Sequence, residues 1–358
     1  MENRSQLEAK FNNYLELVAQ QGASDLHLSV GRPPIIRIDG KLYPIAGEGK
    51  LSEQAMIGIA TTILNEEQFK RLEEEKQMDF SVDLAGKARF RANVFYQKGF
   101  ISAAFRMIPT KIKTLEELGL PSFLYELTKP SQGFVLITGP CGHGKSTTLA
   151  ALMDNVNHTR QDHIITIEDP IEYLFEPDMC IIDQREVFQD ATSFHTALRA
   201  VFREDADVVM VGEMRDIETI STAITAAETG HLIFATLHTN DAAQTIDRMV
   251  DVFPSHQQNQ IRMQLAQTLL GIVSQRLVNR VDGGRVPAIE ILYNNNAVSN
   301  LIREGKTHQI DLVIQTSREK GMIPLNQSLA DLVKRGIVSL EEAEVYSTNK
   351  DELRILLR

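Results

Sequence analysis

Cysteine is scarce: Cys141 and Cys180 are the only two in 358 residues, and neither has a partner at a zinc-ligand spacing. Reduced thiols and no structural metal are therefore expected. Long apolar runs are also missing. Stretches such as Val208–Val211 fall far short of the roughly 20 residues a spanning helix needs, so no transmembrane segment is predicted. The opening MENRSQLEAK is polar and charged, unlike a secretion signal, which points to a cytoplasmic protein. Nor is there an excess of positive charge. The 37 Lys and Arg face 48 Asp and Glu, whereas nucleic-acid binding usually requires a basic face that neutralises phosphates. No nucleic-acid partner is expected.

The net charge of −11 is unevenly spread. Residues 1–110 carry 14 basic against 14 acidic side chains and residues 111–358 carry 23 against 34, so the acidity belongs to the second part. With 43% hydrophobic residues, a chain of this length can bury a core in each of two domains.

The pattern divides the same way. Leu7, Phe11, Leu15 and Val18 fall near one face of a first helix, closed by Gly22. DLHLSV (25–30) and IIRIDGKLYPI (35–45) alternate as strands, with Asp39-Gly40 as a turn signal. A helical stretch over 52–76 follows, with the charge run 73–76 as its solvated end, and then alternating segments at 79–84 and 88–109. Helix on antiparallel sheet thus describes 1–108. Residues 109–120 are short, polar and without a period, a linker. Beyond it, FVLITG (134–139), HIITIED (163–169), CIIDQ (180–184), DVVMVGE (207–213) and HLIFATLH (231–238) are short, nearly continuous apolar strands separated by helices, as a parallel sheet buried on both faces requires. Residues 261–277 mostly fit a helical face, and the tail 324–358 reads as helical. The fold class is α/β.

Gly139-Pro140-Cys141-Gly142-His143-Gly144-Lys145-Ser146 fits G-x-x-x-x-G-K-[ST], after an apolar strand and before a helical run starting at Thr147. The glycines let backbone N–H groups wrap phosphates and the helix N-terminus adds partial positive charge. Lys145 reaches the β/γ-phosphates and Ser146 binds Mg²⁺, so ATP and Mg²⁺ are the expected ligands. The strand 164–167 ends in Glu168-Asp169-Pro170-Ile171-Glu172, and parallel sheets place ligands at the carboxyl ends of strands. One of these acids can activate the attacking water. Glu213, after the apolar strand 208–211, stands where P-loop ATPases hold Mg²⁺ through water. His231 and His238 flank a straight strand and would lie about 23 Å apart. His238, at the carboxyl end, is the candidate γ-phosphate sensor, and His231 is structural or at an interface. From the residues alone, Arg89, Arg91 and Arg106 read as a solvated strand face.

Taken together, GPCGHGKSTT (139–148), TIEDPIEY (166–173), QREV (184–187), REDADVVMVGEMRD (203–216), AAETGHLIFATLHTNDA (226–242) and DRMVDVFP (247–254) resemble the secretion-ATPase superfamily. Its Walker A, Asp box, Walker B and His box occur in order. SDLHLSVGRPPIIRIDG (24–40) and RFRANVFYQ (89–97) resemble the family's PAS-like N-terminal domain. The short chain, the lack of a four-cysteine element and AVSNLIREGK (297–306) are similar to the retraction branch, the PilT family, rather than to assembly ATPases.

The resemblance implies a RecA-like ATPase domain over 121–358 behind the PAS-like domain. It also implies a homohexameric ring whose nucleotides sit between subunits, an inner-membrane pilus platform protein and a sister pilus ATPase as partners, and a place at the cytoplasmic face of the inner membrane. It makes Glu172 the catalytic base, Glu213 the Walker B acid, and Arg91 and Arg106 fingers that neutralise transition-state charge. A secretion traffic ATPase and an accessory ring subunit without productive hydrolysis are the alternatives. Cys141 and His143 replace the family's usual Thr and Ser, and Ser299 a usual Arg.

Overall fold

The computed structural model describes residues 4–38, 40–84, 88–108 and 111–358. The Asp39-Gly40 turn and the start of the linker at Pro109 involve residues outside that set. The chain divides into two compact units, one made of Met1–Lys111 with Pro170–Leu174, the other of Ile112–Asp169 with Phe175–Arg358. Among the described residues no helix is long and apolar enough to cross a membrane.

In the first unit, α1 (Arg4–Gln20) buries Leu7, Phe11, Leu15 and Val18, the face set by their spacing. The strands β1 (Asp25–Ser29), β2 (Ile35–Ile38), β3 (Lys41–Pro44), β4 (Gln77–Asp83), β5 (Arg89–Gln97) and β6 (Phe100–Ile108) form one sheet in the order β3-β2-β1-β6-β5-β4. Every pairing in it is antiparallel.

Two expectations are corrected here. The helical stretch 52–76 is two helices, α2 (Glu53–Ile63) and α3 (Glu66–Glu75). Asn65 interrupts it because its side chain accepts the Gln68 N–H while the Gln68 side-chain oxygen accepts the Asn65 N–H, a capping box that starts a new helix. The run 88–109 is likewise a hairpin. Lys98 (φ 51°) and Gly99 (φ 83°) turn the chain between β5 and β6, both in the left-handed region that a two-residue hairpin turn demands.

The second unit carries β7 (Gly133–Thr138), α4 (Lys145–Thr159), β8 (His163–Glu168), β9 (Ile181–Glu186), α5 (Phe194–Val201), β10 (Val208–Val211), α6 (Ile217–Glu228), β11 (Leu232–Leu237), α7 (Ala242–Asp251) and α8 (Ser255–Thr268). Next come β12 (Leu269–Asn279), β13 (Arg285–Tyr293), α9 (Asn296–Glu304), α10 (Ile310–Thr316), α11 (Leu325–Lys334), α12 (Leu340–Tyr346) and α13 (Lys350–Leu357). The described strands are ordered β13-β12-β7-β11-β10-β8-β9. All neighbours are parallel except β12 and β13.

Every residue of β7, β10 and β11 is buried, as continuous apolar strands predict. Phe134, Leu136, Val209, Ile233 and Ala235 join one core with the inner faces of α5 to α8. The expected helical face over 261–277 is wrong beyond Thr268. There α8 stops and β12 begins, buried on both faces at Ile272 and Val273. The apolar spacing fits a helix, but the β-branched pair between two strands makes a buried sheet the better solution.

Candidate functional site

The loop between β7 and α4 is shaped by three glycines with positive φ: Gly139 at 141°, Gly142 at 75° and Gly144 at 80°. Side-chain-bearing residues rarely adopt these angles. At Gly139 space is decisive too, because a Cβ would come within 2.4 Å of the Gln275 carbonyl oxygen. The loop therefore follows the backbone closely and leaves its N–H groups at the N-terminus of α4, where helix geometry favours anions.

Lys145, at the first position of α4, is buried at 7% exposure. Its Nζ donates to the carbonyls of Gly139 at 2.8 Å and Pro140 at 3.0 Å and lies 3.2 Å from His238 Nδ1. Cys141 is exposed, and its Sγ lies 3.5 Å from the same nitrogen. On the far side of the ring, His238 Nε2 faces Glu213 Oε2 at 3.4 Å. The other oxygen of Glu213 pairs with Arg215 at 2.6 Å. Thus the ends of β7, β10 and β11 bring Lys145, Cys141, His238 and Glu213 together. His231 sits at the start of β11, its Nδ1 on the Ala226 carbonyl and its ring against Phe202.

His143 turns toward β12. Its Nδ1 accepts the Leu277 N–H at 2.9 Å and its ring meets Tyr346 edge-on. Burial, then Arg276, Arg285 and Lys145, hold its pKa below the usual imidazole value, which keeps Nδ1 free to accept. Gln275, Arg276 and Ser274 form the support behind the loop. None of the three was marked from sequence, because this stretch read as a helical face. A polar run inside a buried strand is the signal that would have found them.

The remaining predicted residues cluster in the first unit. Arg91 on β5 stands in register with Arg106 on β6. The Arg91 guanidinium lies 3.6 Å from the Glu172 carboxylate. Arg106 Nε donates to Asp25 Oδ1 at 2.9 Å. Burial raises the Asp25 pKa, but the Ser24 hydroxyl and Arg106 outweigh it and the net shift is downward, so Asp25 stays a carboxylate. The solvated strand face is therefore only partly right: Arg91 and Arg106 are exposed, yet each has an acidic neighbour, and Arg89 is half-buried with its guanidinium donating to Ser81. Glu168, by contrast, is buried at 6% exposure, with Thr166 and Gln184 donating to Oε1.

Among the described residues no group of three or more His, Cys, Asp or Glu side chains is arranged to hold a metal alone. Ser146 is the second residue of α4, and Glu213 follows the end of β10 by two positions.

The model of the family described as "Type II/IV secretion system protein" matches residues 1–283, spanning both the first unit and this site. The type IV pilus retraction ATPase PilT of Pseudomonas aeruginosa is 48% identical over 329 residues, covering 92% of this chain and 95% of that one. The chain belongs to this family, in its PilT branch. A twitching motility protein of Neisseria gonorrhoeae is 44% identical over 321 residues, 89% of this chain and 86% of the relative. In structure, the chain is similar to the crystal structure of the pilus retraction motor PilT with bound ADP. That match has a TM-score of 0.89 and 47% identity, over 96% of this chain and 98% of that one.

Proposed function

We propose that this chain is an ATP-hydrolysing motor that drives type IV pilus retraction, working as a homohexamer at the cytoplasmic face of the inner membrane. The observation that carries the reading is the convergence of Lys145, His238 and Glu213 on a glycine-shaped loop at the start of α4. The likeness to PilT along nearly the whole of both chains supports it.

In this reading the β- and γ-phosphates take the place of the Gly139 and Pro140 carbonyls as acceptors for Lys145. The N–H groups from Gly142 to Thr147 complete the cradle. Ser146 and, through water, Glu213 would hold Mg²⁺, which would supply neutralising charge to the phosphate oxygens. Glu172 orients and deprotonates the attacking water. Arg91 and Arg106 serve as fingers across a subunit boundary, neutralising charge that develops on the transferring phosphoryl group. His238 lies between Lys145 and Glu213, the position for reporting whether the γ-phosphate is present. The PAS-like domain over 1–108 and the RecA-like domain over 121–358 move against each other as ATP is turned over. The work is passed to an inner-membrane platform protein, with a sister pilus ATPase as a further partner.

The deciding experiment measures ATP turnover with Mg²⁺ alongside mass in solution. A hexamer that hydrolyses ATP, and cells whose pili fail to retract when Lys145 is replaced by Ala, are the expected results. Retraction preserved in that variant overturns the motor; nucleotide binding without turnover points to an accessory subunit.

A further inference from the structure

Gln275 lies in the middle of β12 at 2% exposure, and both ends of its amide are used. Thr148 Oγ1 donates to Oε1 at 2.8 Å, and Nε2 donates to the His143 carbonyl at 2.8 Å. Two glycines of the loop are shaped around it. A Cβ on Gly139 would meet the Gln275 carbonyl oxygen at 2.4 Å, and a Cβ on Gly144 would meet Nε2 at 2.9 Å. The flanking residues extend the same support. Ser274 accepts from Thr138 Oγ1 at 3.0 Å, at the end of the strand that leads into the loop. Arg276 donates from Nη2 to the carbonyl and Oδ1 of Asn240, two residues past His238, at 2.8 and 2.9 Å.

We propose that Gln275 is a positioning residue for the phosphate loop, acting from the strand behind it without touching nucleotide. In a trans peptide the carbonyl and the following N–H point in opposite directions. By drawing the His143 carbonyl toward itself, Nε2 turns the Gly144 N–H away from β12 and toward the inside of the loop, where a phosphate oxygen needs a donor. The bond from Thr148 fixes the amide so that Nε2, and not Oε1, faces the carbonyl. An oxygen there would repel it and release the peptide plane. Because Arg276 continues the same strand to Asn240, loop and His-box segment are held to one frame. Losing Gln275 therefore weakens ground-state phosphate binding, leaving the acid–base groups in place.

This inference rests on the loop being the ATP site. Its test is ADP binding by calorimetry and steady-state ATP turnover on the full chain and on Gln275→Met, which keeps the shape and removes both hydrogen bonds. We expect the ADP Kd and the KM for ATP to rise about tenfold, as loss of a buried hydrogen bond at the site implies, with the change in KM rather than kcat. An unaltered Kd and KM, or a loss confined to kcat, overturns the proposal. If Gln275→Met fails to fold, Thr148 decides. Thr148→Ser, which keeps the donor to Oε1, should bind ADP more tightly than Thr148→Val, and equal affinities overturn it. A wild-type chain that binds no ADP would refute the ATP-site reading itself, a result separate from any difference between variants.

Discussion

The ammonium of Lys145 and the imidazole of His238 meet at 3.2 Å, Nζ to Nδ1. An ammonium has only donors, so Nδ1 is the acceptor and the ring proton belongs on Nε2, facing Glu213. One contact thereby sets the tautomer of the histidine and aims the lysine along the loop.

Replacing Lys145 with Ala removes the only described side-chain donor to the Gly139 and Pro140 carbonyls and, in the proposed reading, the charge that meets the β/γ-phosphates. ADP affinity should fall by about 100-fold, as expected for losing a charge-assisted hydrogen-bonding group with an unpaired partner. Calorimetric titration against wild type checks this, and retained affinity would contradict the assignment.

Glu172→Gln keeps the shape and hydrogen-bonding capacity of the side chain but not its basicity. Turnover should drop by about 10² to 10⁴, the usual contribution of a general base, with ADP affinity within a few-fold of wild type. Single-turnover hydrolysis in the variant separates the two quantities.

Gly139→Ala tests the closeness of loop and strand. The new Cβ points at a backbone oxygen 2.4 Å away, on a φ of 141° that alanine rarely adopts. Neither contact can rotate out of the way, so a stability loss of about 1–3 kcal/mol is expected, together with weakened nucleotide binding. Urea denaturation and ADP titration give both values.

Glu290, on β13, accepts the Ala242 N–H at 2.8 Å, and Ser274 lies 3.5 Å away. Burial first, opposed by the Ala242 bond and helped by Asp241 and Asp311, pushes its carboxyl up to about 7. A raised acid contributes stability that is whole below its unfolded value, near 4.5, and is lost as pH climbs through 7. Wild type should therefore lose on the order of 3 kcal/mol relative to Glu290→Gln between pH 4.5 and 7.5. Denaturation curves of the two chains across that range measure it, and parallel pH profiles would disprove it.

Cys141 is exposed at the mouth of the loop, so iodoacetamide should label it and block nucleotide binding, with ADP slowing the labelling. Cys141→Thr should bind ADP before and after the reagent alike. Mass spectrometry of the labelled peptide, run beside ADP titration, reports both; the buried Cys180 serves as the slow internal reference.

Much of this site was legible because its chemistry is local. The loop 139–147 and Glu213 announce themselves through residue type and the strand before them, and His238 through its place at a strand's carboxyl end. What escaped was the frame. Residues 269–279 pack on both faces, and an apolar run of that kind satisfies helix and strand spacing alike. Pairing with β7 on one side and β13 on the other selects the strand. The break at Asn65 was missed for a smaller reason: apolar spacing continues across it, whereas the capping box depends on two side chains reaching back. Asp25 as the partner of Arg106 is a cross-strand relation between residues 81 apart, beyond any local pattern.

Arg276 has a final consequence. Its guanidinium is buried, bonded to Asn240 and to its own strand, and a Cβ on Gly139 would lie 3.5 Å from its Nη1. The entrance to the loop therefore carries a fixed background charge that no solvent can fully quench, independent of where Lys145 points. Among the described residues Glu290 and Asp241 supply the opposing negative charge. Anything entering beside Gly139 therefore meets a cation whose position is decided by the strand behind it.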